Sequence, residues 1–112
     1  DVALMSFNPH SVEALARLSP HIPRGLTTCD YVPEDWPTIP KARLAELLPI
    51  PDFTRSGASF ISHQASDLAR APVAALKAQG VPVLCWTIRS PMEEDAARQI
   101  ADNVTFEGYL PA

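Results

Sequence analysis

Cysteine is scarce in this 112-residue chain, and glycine is sparse. Two cysteines, Cys29 and Cys85, are too few for a disulfide framework or a zinc site. The four glycines are scattered, so there is no glycine-rich loop to cradle a phosphate and no Gly-x-Ser-x-Gly nucleophile elbow. Basic residues are outnumbered, nine against thirteen acids, for a net charge of -4. That balance argues against nucleic acid or an anionic membrane surface as a partner, since both select basic proteins. No apolar run approaches the ~20 residues of a membrane span. No targeting segment is visible, and the chain opens in what reads as a strand. Cys85, set in an apolar strand, reads as a small buried thiol, which favours a reducing, cytoplasmic setting.

Proline, by contrast, is abundant at twelve residues. Most of these prolines stand at boundaries: Pro9, Pro72 and Pro91 open helices, and Pro20, Pro23 and Pro82 precede strands. They punctuate a repeating unit, a short apolar run with a polar or aromatic tip followed by a helical stretch. The runs are Val2–Phe7, Arg24–Thr28, Phe60–His63, Val83–Ile88 and Asn103–Glu107. Strand then helix, repeated, predicts parallel strands whose carboxyl ends share one face, and on such scaffolds that face carries the chemistry.

The intervening segments carry helix signals. Asn8-Pro9 is an N-cap with proline in the first turn, ahead of an apolar face at Val12, Leu15, Ala16 and Leu18. Cys29 to Pro40 holds three prolines with Tyr31 and Trp36 and reads as an ordered excursion. Lys41–Leu48 places Leu44, Leu47 and Leu48 at helical spacing. Ser66-Asp67 and Pro72 start a helix with Val73 and Leu76 inward and Gly80 as its left-handed cap. Ser90-Pro91-Met-Glu93 is a capping box opening a helix through Met92, Ala96 and Ile100.

Four to five such βα units do not close a (β/α)₈ barrel, which takes about 250 residues. The first run is already a strand with nothing to cover its edge, and an open edge is an aggregation hazard. The expectation is therefore an α/β fold comprising part of a larger one.

Particular residues then suggest which. Leu4-Met-Ser-Phe-Asn-Pro9, Ala16-Arg-Leu-Ser-Pro20, Pro23-Arg-Gly-Leu-Thr-Thr28, Ile61-Ser-His63, Leu76-Lys-Ala-Gln-Gly80, Val83-Leu-Cys-Trp-Thr-Ile-Arg-Ser-Pro91 and Thr105-Phe-Glu-Gly108 together resemble the carboxyl-terminal half of glycerophosphodiester phosphodiesterases. The Ser-Phe-Asn and Trp-Thr strand tips are the most specific parts, and the Cys29–Gly57 excursion is where the match is loose. The resemblance implies that residues 1–112 are the carboxyl-terminal part, incomplete, of a (β/α)₈ TIM-type barrel. It implies hydrolysis of glycerophosphodiesters to glycerol 3-phosphate and an alcohol, in lipid metabolism, with a divalent metal, calcium or magnesium, in the full-length family. The family's His-Arg-Gly, Glu-x-Asp, His-Asp and Glu-x-Lys motifs are absent here, so this segment supplies no catalytic residue and no metal ligand. Where the family's last strand often ends Thr-Asp-x-Pro, this chain has Thr105-Phe-Glu-Gly-Tyr-Leu-Pro111.

The carboxylates agree with that absence. A hard divalent cation wants six or more oxygens. Glu34-Asp35 lies on a loop, Glu93-Glu94-Asp95 suits the favourable field of a helix N-terminus, and Glu107 is the one acid at a strand tip. The substrate-side residues the resemblance implies are Ser6, Phe7 and Trp86. Trp86 can wall a pocket with apolar area while donating from its indole N–H; the competing reading is core packing under a loop. Phe7 has the same two readings. Ser6 could bond a substrate hydroxyl or only its neighbouring strand. His63 could be a ligand or proton donor, but on the expectation that no acidic partner lies nearby in sequence the reading favoured is a hydrogen-bonded histidine at the pocket edge. His10 and His21 read as surface residues.

Three function classes follow. The first is the carboxyl-terminal part of a metal-dependent phosphodiesterase, whose missing amino-terminal half of the barrel brings the catalytic groups. The second is a non-catalytic half-barrel that binds or pairs with itself through its open edges. The third is a sugar-phosphate isomerase, against which the missing glycine loop counts. The expected partners are a small glycerophosphodiester and the rest of the barrel, with self-association of the chain on its own.

Overall fold

The computed structural model describes residues 1–112 throughout. Five strands, β1 (Leu4–Ser6), β2 (Arg24–Thr28), β3 (Phe60–Gln64), β4 (Val83–Ile88) and β5 (Asn103–Phe106), form one parallel sheet in the order β1-β2-β3-β4-β5. Every neighbour in space is the neighbour in sequence. Because parallel crossovers are right-handed, a sheet that advances one strand at a time carries its helices on one face only, which is the barrel arrangement. The sheet is half of such a barrel: β1 and β5 each have a single neighbour.

The helices are α1 (Pro9–Leu18), α2 (Lys41–Leu47), α3 (Asp52–Ser56), α4 (Ala71–Ala78) and α5 (Pro91–Ala97). Alternate strand residues Leu26, Ile61, Val83 and Cys85 meet Val12, Val73, Ala97 and Ala101 in one apolar core between sheet and helices. Complete burial of Ile61, Val12, Val73 and Val83 is worth roughly 1.5–3 kcal/mol for each such side chain. Cys85 is a buried free thiol within that core, as its strand setting predicts.

The helix starts are built as their residues predict. Asn8 Oδ1 accepts from the His10 N–H at 2.9 Å, and Ser90 Oγ accepts from the Glu93 N–H at 3.2 Å. Glu93 returns its carboxylate to the N–H of Arg89, at 2.7 Å, one residue before the cap. Gly80 ends the α4 turn at φ +85, a left-handed conformation that a side chain would strain.

Two helix faces differ from expectation. Leu18 is 74% exposed, because α1 ends there and its last turn points away from the sheet. On α5, Met92 is 82% exposed, and the inward residues are Glu94 and Ala97, followed by Ala101. The carboxylate can face inward because partners await it. Glu94 Oε1 accepts from Arg98 Nε at 2.8 Å, and Oε2 accepts from the Tyr109 hydroxyl at 3.0 Å and the Ala112 N–H at 3.3 Å. Those bonds, with Arg98 foremost, hold its carboxyl below the usual range, while the Tyr109 hydroxyl is pushed up to about 12 by its burial and the Glu94 carboxylate.

The face of the sheet away from the helices is the concave side in a barrel of this type. Gly25 sits on it with Phe60 beside it in register; a Cβ on Gly25 would lie 2.2 Å from the Phe60 ring, so the ring occupies the space a side chain would need. Met5 and Phe7 on the same side remain 47% and 42% exposed.

Candidate substrate-binding wall

Strand alternation sends Phe7, just beyond β1, and Trp86, near the end of β4, to the concave side at the carboxyl end of the sheet. Between them the same side carries the small residues Thr27 and Ser62, which pair in register. That low ground lets rings from strands three places apart meet. Phe7 and Trp86 stand edge to face, centroids 5.7 Å apart at 78°. Trp86 is fixed by its indole N–H, which donates to the Ser62 carbonyl at 2.9 Å. Ser62 itself is fully buried, and its hydroxyl has no protein partner.

A third ring joins from the excursion after β2. Trp36 meets Phe7 edge-on at 5.3 Å and 69°, and lies 5.9 Å from Tyr31. The excursion is anchored where it leaves the sheet: the Asp30 N–H donates to Gln64 Oε1 at 3.0 Å. It then packs Cys29, Tyr31 and Leu44 into a small second core. Burial pushes the titration of the Tyr31 hydroxyl and the Cys29 thiol upward, so both stay neutral at physiological pH. The proline-bounded aromatic setting of Trp36 is legible in sequence; its destination on this wall is not.

Ser6 does not stand with these rings. It lies on the opposite alternation from Phe7, and its Oγ accepts from the Asn8 N–H at 3.0 Å, a local bond that shapes the entry to α1.

Contrary to expectation, His63 has an acidic partner close in sequence. Asp67, four residues on, is brought back by the short 3₁₀ turn Ala65–Asp67. His63 Nε2 and Asp67 Oδ2 are 2.7 Å apart, and His63 Nδ1 and Thr28 Oγ1 are 2.6 Å apart. Arg70 closes the row, Nε to Asp67 Oδ2 at 2.8 Å and Nη2 to Oδ1 at 2.9 Å. With Asp67 ionised, the ring donates from Nε2 and accepts the Thr28 hydroxyl at Nδ1, a neutral imidazole with both nitrogens used. Burial is the largest influence on His63 and lowers its pKa, against the pull of Asp67. Desolvation works to raise the Asp67 pKa, but the bonds from Arg70 and His63 together outweigh it and leave it low. Order of residue types suggests a Thr-His-Asp nucleophile system, but Thr28 and His63 are wholly buried. A nucleophile with no access to substrate does no chemistry; this row ties β2, β3 and the following turn together.

Nothing in the chain assembles a metal ligand set. No three His, Cys, Asp or Glu side chains converge as a metal site would require. Glu107 is paired with Arg89 at 3.4 Å, Glu93 caps α5, and Glu94 is committed to the tail. The residues present therefore do not fit a divalent cation. A cleft of about 580 Å³ opens beside Trp86, with Gln64, Ser66, Leu68, Arg89 and Ile100 among its lining residues. It lies within the size range of small-molecule sites.

A singly wound parallel sheet with its aromatic wall at the strand tips defines the chain as a half-barrel of the (β/α)₈ type. Its fold is shared by solved structures, among them these three. One, a candidate glycerophosphoryl diester phosphodiesterase from Silicibacter pomeroyi, matches 93% of this chain and 33% of its own at 20% identity, with a TM-score of 0.66. Another, from Agrobacterium tumefaciens and described in the same terms, covers 93% and 39% at 18% identity and 0.69. The third, a phosphodiesterase of Oleispira antarctica solved with the product sn-glycerol-3-phosphate, covers 95% and 38% at 23% identity and 0.61. No curated protein matches the sequence. The glycerophosphoryl diester phosphodiesterase family model matches residues 1–105, and the chain belongs to that family. It spans between a third and two-fifths of the length of these solved relatives.

Proposed function

We propose that this chain is the carboxyl-terminal part of a phosphodiesterase barrel that hydrolyses glycerophosphodiesters to glycerol 3-phosphate and an alcohol. The observation that carries the reading is the family match over residues 1–105, on a sheet of five successive barrel strands. In this reading the segment closes the barrel and lines its mouth, with Phe7 and Trp86 against the substrate. Ser6 shapes the loop that carries Phe7 through its bond from the Asn8 N–H, and bears on the substrate only through that placement. The catalytic acid and base come from the rest of the barrel. So do the ligands of the divalent cation, calcium or magnesium, that supplies charge stabilisation in the family. The Oleispira relative, bound to sn-glycerol-3-phosphate, supports a small phosphorylated glycerol as the shared product. A role in lipid metabolism and a cytoplasmic location belong to the same reading; no helix is long and apolar enough to cross a membrane.

The exposed Met5 and Phe7 on the concave face favour a companion reading for the chain alone, in which that face and the two open edges are covered by a second copy. The test of function is metal-dependent release of glycerol 3-phosphate from a glycerophosphodiester by the native protein that contains this chain. Release supports the reading, and its absence across a panel of diesters removes it.

A further inference from the structure

The chain has two tryptophans, and the fold brings both to one wall. Trp86 comes from a strand tip. Trp36 comes from the excursion, the stretch in which the resemblance to the family is loosest. The contact runs Trp36 to Phe7 to Trp86, at 5.3 and 5.7 Å, and each ring meets the next at a steep angle. The placement is not a loose loop lying where it falls. The excursion leaves β2 directly, is pinned to β3 through Gln64, turns through the 3₁₀ helix Pro33–Asp35, and has a core of its own. Preorganised aromatic surface of this kind gains affinity because little ordering remains to be done on binding.

Charge indicates which end of a diester this wall faces. Residues 29–40 include Asp30, Glu34 and Asp35 and no lysine or arginine. None of the three carboxylates is in an ion pair. A phosphate next to Trp36 would meet like charge, which disfavours it. An aromatic ring set in a segment with three acids and no cation suits an organic group better than a phosphate.

We propose that Trp36 is a specificity-determining residue that packs against the alcohol portion of the diester and sets the preference for its size. The inference rests on the phosphodiesterase reading above. The native protein containing this chain is assayed with two substrates that differ only in the alcohol, the ethyl and the benzyl esters of sn-glycerol 3-phosphate. Trp36→Ala raises KM for the benzyl ester about tenfold, leaves KM for the ethyl ester within about twofold, and leaves kcat unchanged for both. Trp36→Phe, which keeps a ring, restores the benzyl KM to within about threefold of the parent. Near-UV circular dichroism confirms that each variant is folded. Should Trp36→Ala fail to fold, Trp36→Phe decides alone: a rise in KM confined to the benzyl ester supports the proposal, and equal effects on both esters overturn it. An active parent whose Trp36→Ala variant treats the two esters alike overturns the inference and leaves the phosphodiesterase reading standing. A parent that cleaves neither ester overturns the inference, and one that also cleaves no diester of the wider panel overturns the phosphodiesterase reading with it.

Discussion

Trp86 and His63 stand close together at the strand tips and do different work. Trp86 keeps part of its ring exposed beside a cleft and against Phe7, where a ligand can reach it. A wall of this kind binds ground and transition states about equally, so its loss shows mainly in KM. In the native protein, Trp86→Ala is expected to raise KM about tenfold and change kcat by less than about threefold. Steady-state kinetics separate this from a collapse in kcat at constant KM, which would give Trp86 a part in the chemistry. His63 is sealed, and its effect is on stability. Burial holds its pKa below the ordinary 6.5, so as pH falls the unfolded chain takes up the proton first. The histidine's contribution is therefore complete above about pH 6.5 and is lost progressively below it. His63→Ala removes the partner of the buried Thr28 hydroxyl and one partner of the half-buried Asp67 carboxylate, which keeps Arg70, and is expected to cost about 1–3 kcal/mol. Urea unfolding between pH 5 and 8 checks both statements: the parent loses stability toward pH 5, and the variant shows a shallower slope.

Among the elements, β2 and β3 are joined by a contact with no slack. Gly25 has no side chain because the Phe60 ring stands 2.2 Å from where its Cβ would be. Gly25→Ala is expected to destabilise the fold by about 1–3 kcal/mol, through displacement of that ring. Trimming the ring in the double variant Gly25→Ala, Phe60→Leu should cost less than the sum of the two single changes, and chemical denaturation of all four proteins measures the coupling. The bounds of β2 and β4 were legible in sequence because prolines fix their starts and β-branched or apolar residues fill them. The helix starts at Asn8-Pro9 and Ser90-Pro91 were legible for the same local reason. Helix α3 was not, since five residues between Pro51 and Gly57 show no period. Asp67 was in plain sight four positions after His63, but only a 3₁₀ turn makes that spacing a contact. Trp36 depended on a tertiary path, which local pattern does not encode. The inward Glu94 was hidden because three partners, one of them the distant Tyr109, are needed before a carboxylate can face a core.

For the whole molecule, an open sheet is the fact with the widest consequences. Both edges present unpaired backbone, and Val2, Leu4, Met5 and Phe7 are exposed along the first of them. Covering such apolar surface is worth roughly 25 cal/mol per Å², and unpaired edges template further strands. Residues 1–112 in isolation are expected to self-associate at micromolar concentration; sedimentation velocity showing a folded, non-associating monomer would refute this. The same incompleteness governs activity, because pocket walls without metal ligands or a proton donor cannot stabilise charge at phosphorus. The most direct measurement is metal-dependent release of glycerol 3-phosphate, taken side by side on isolated residues 1–112 and on the native protein that contains them. The native protein is predicted to release it and the isolated segment to stay at the level of a blank; an active isolated segment, or a native protein inactive on every glycerophosphodiester, would contradict the account.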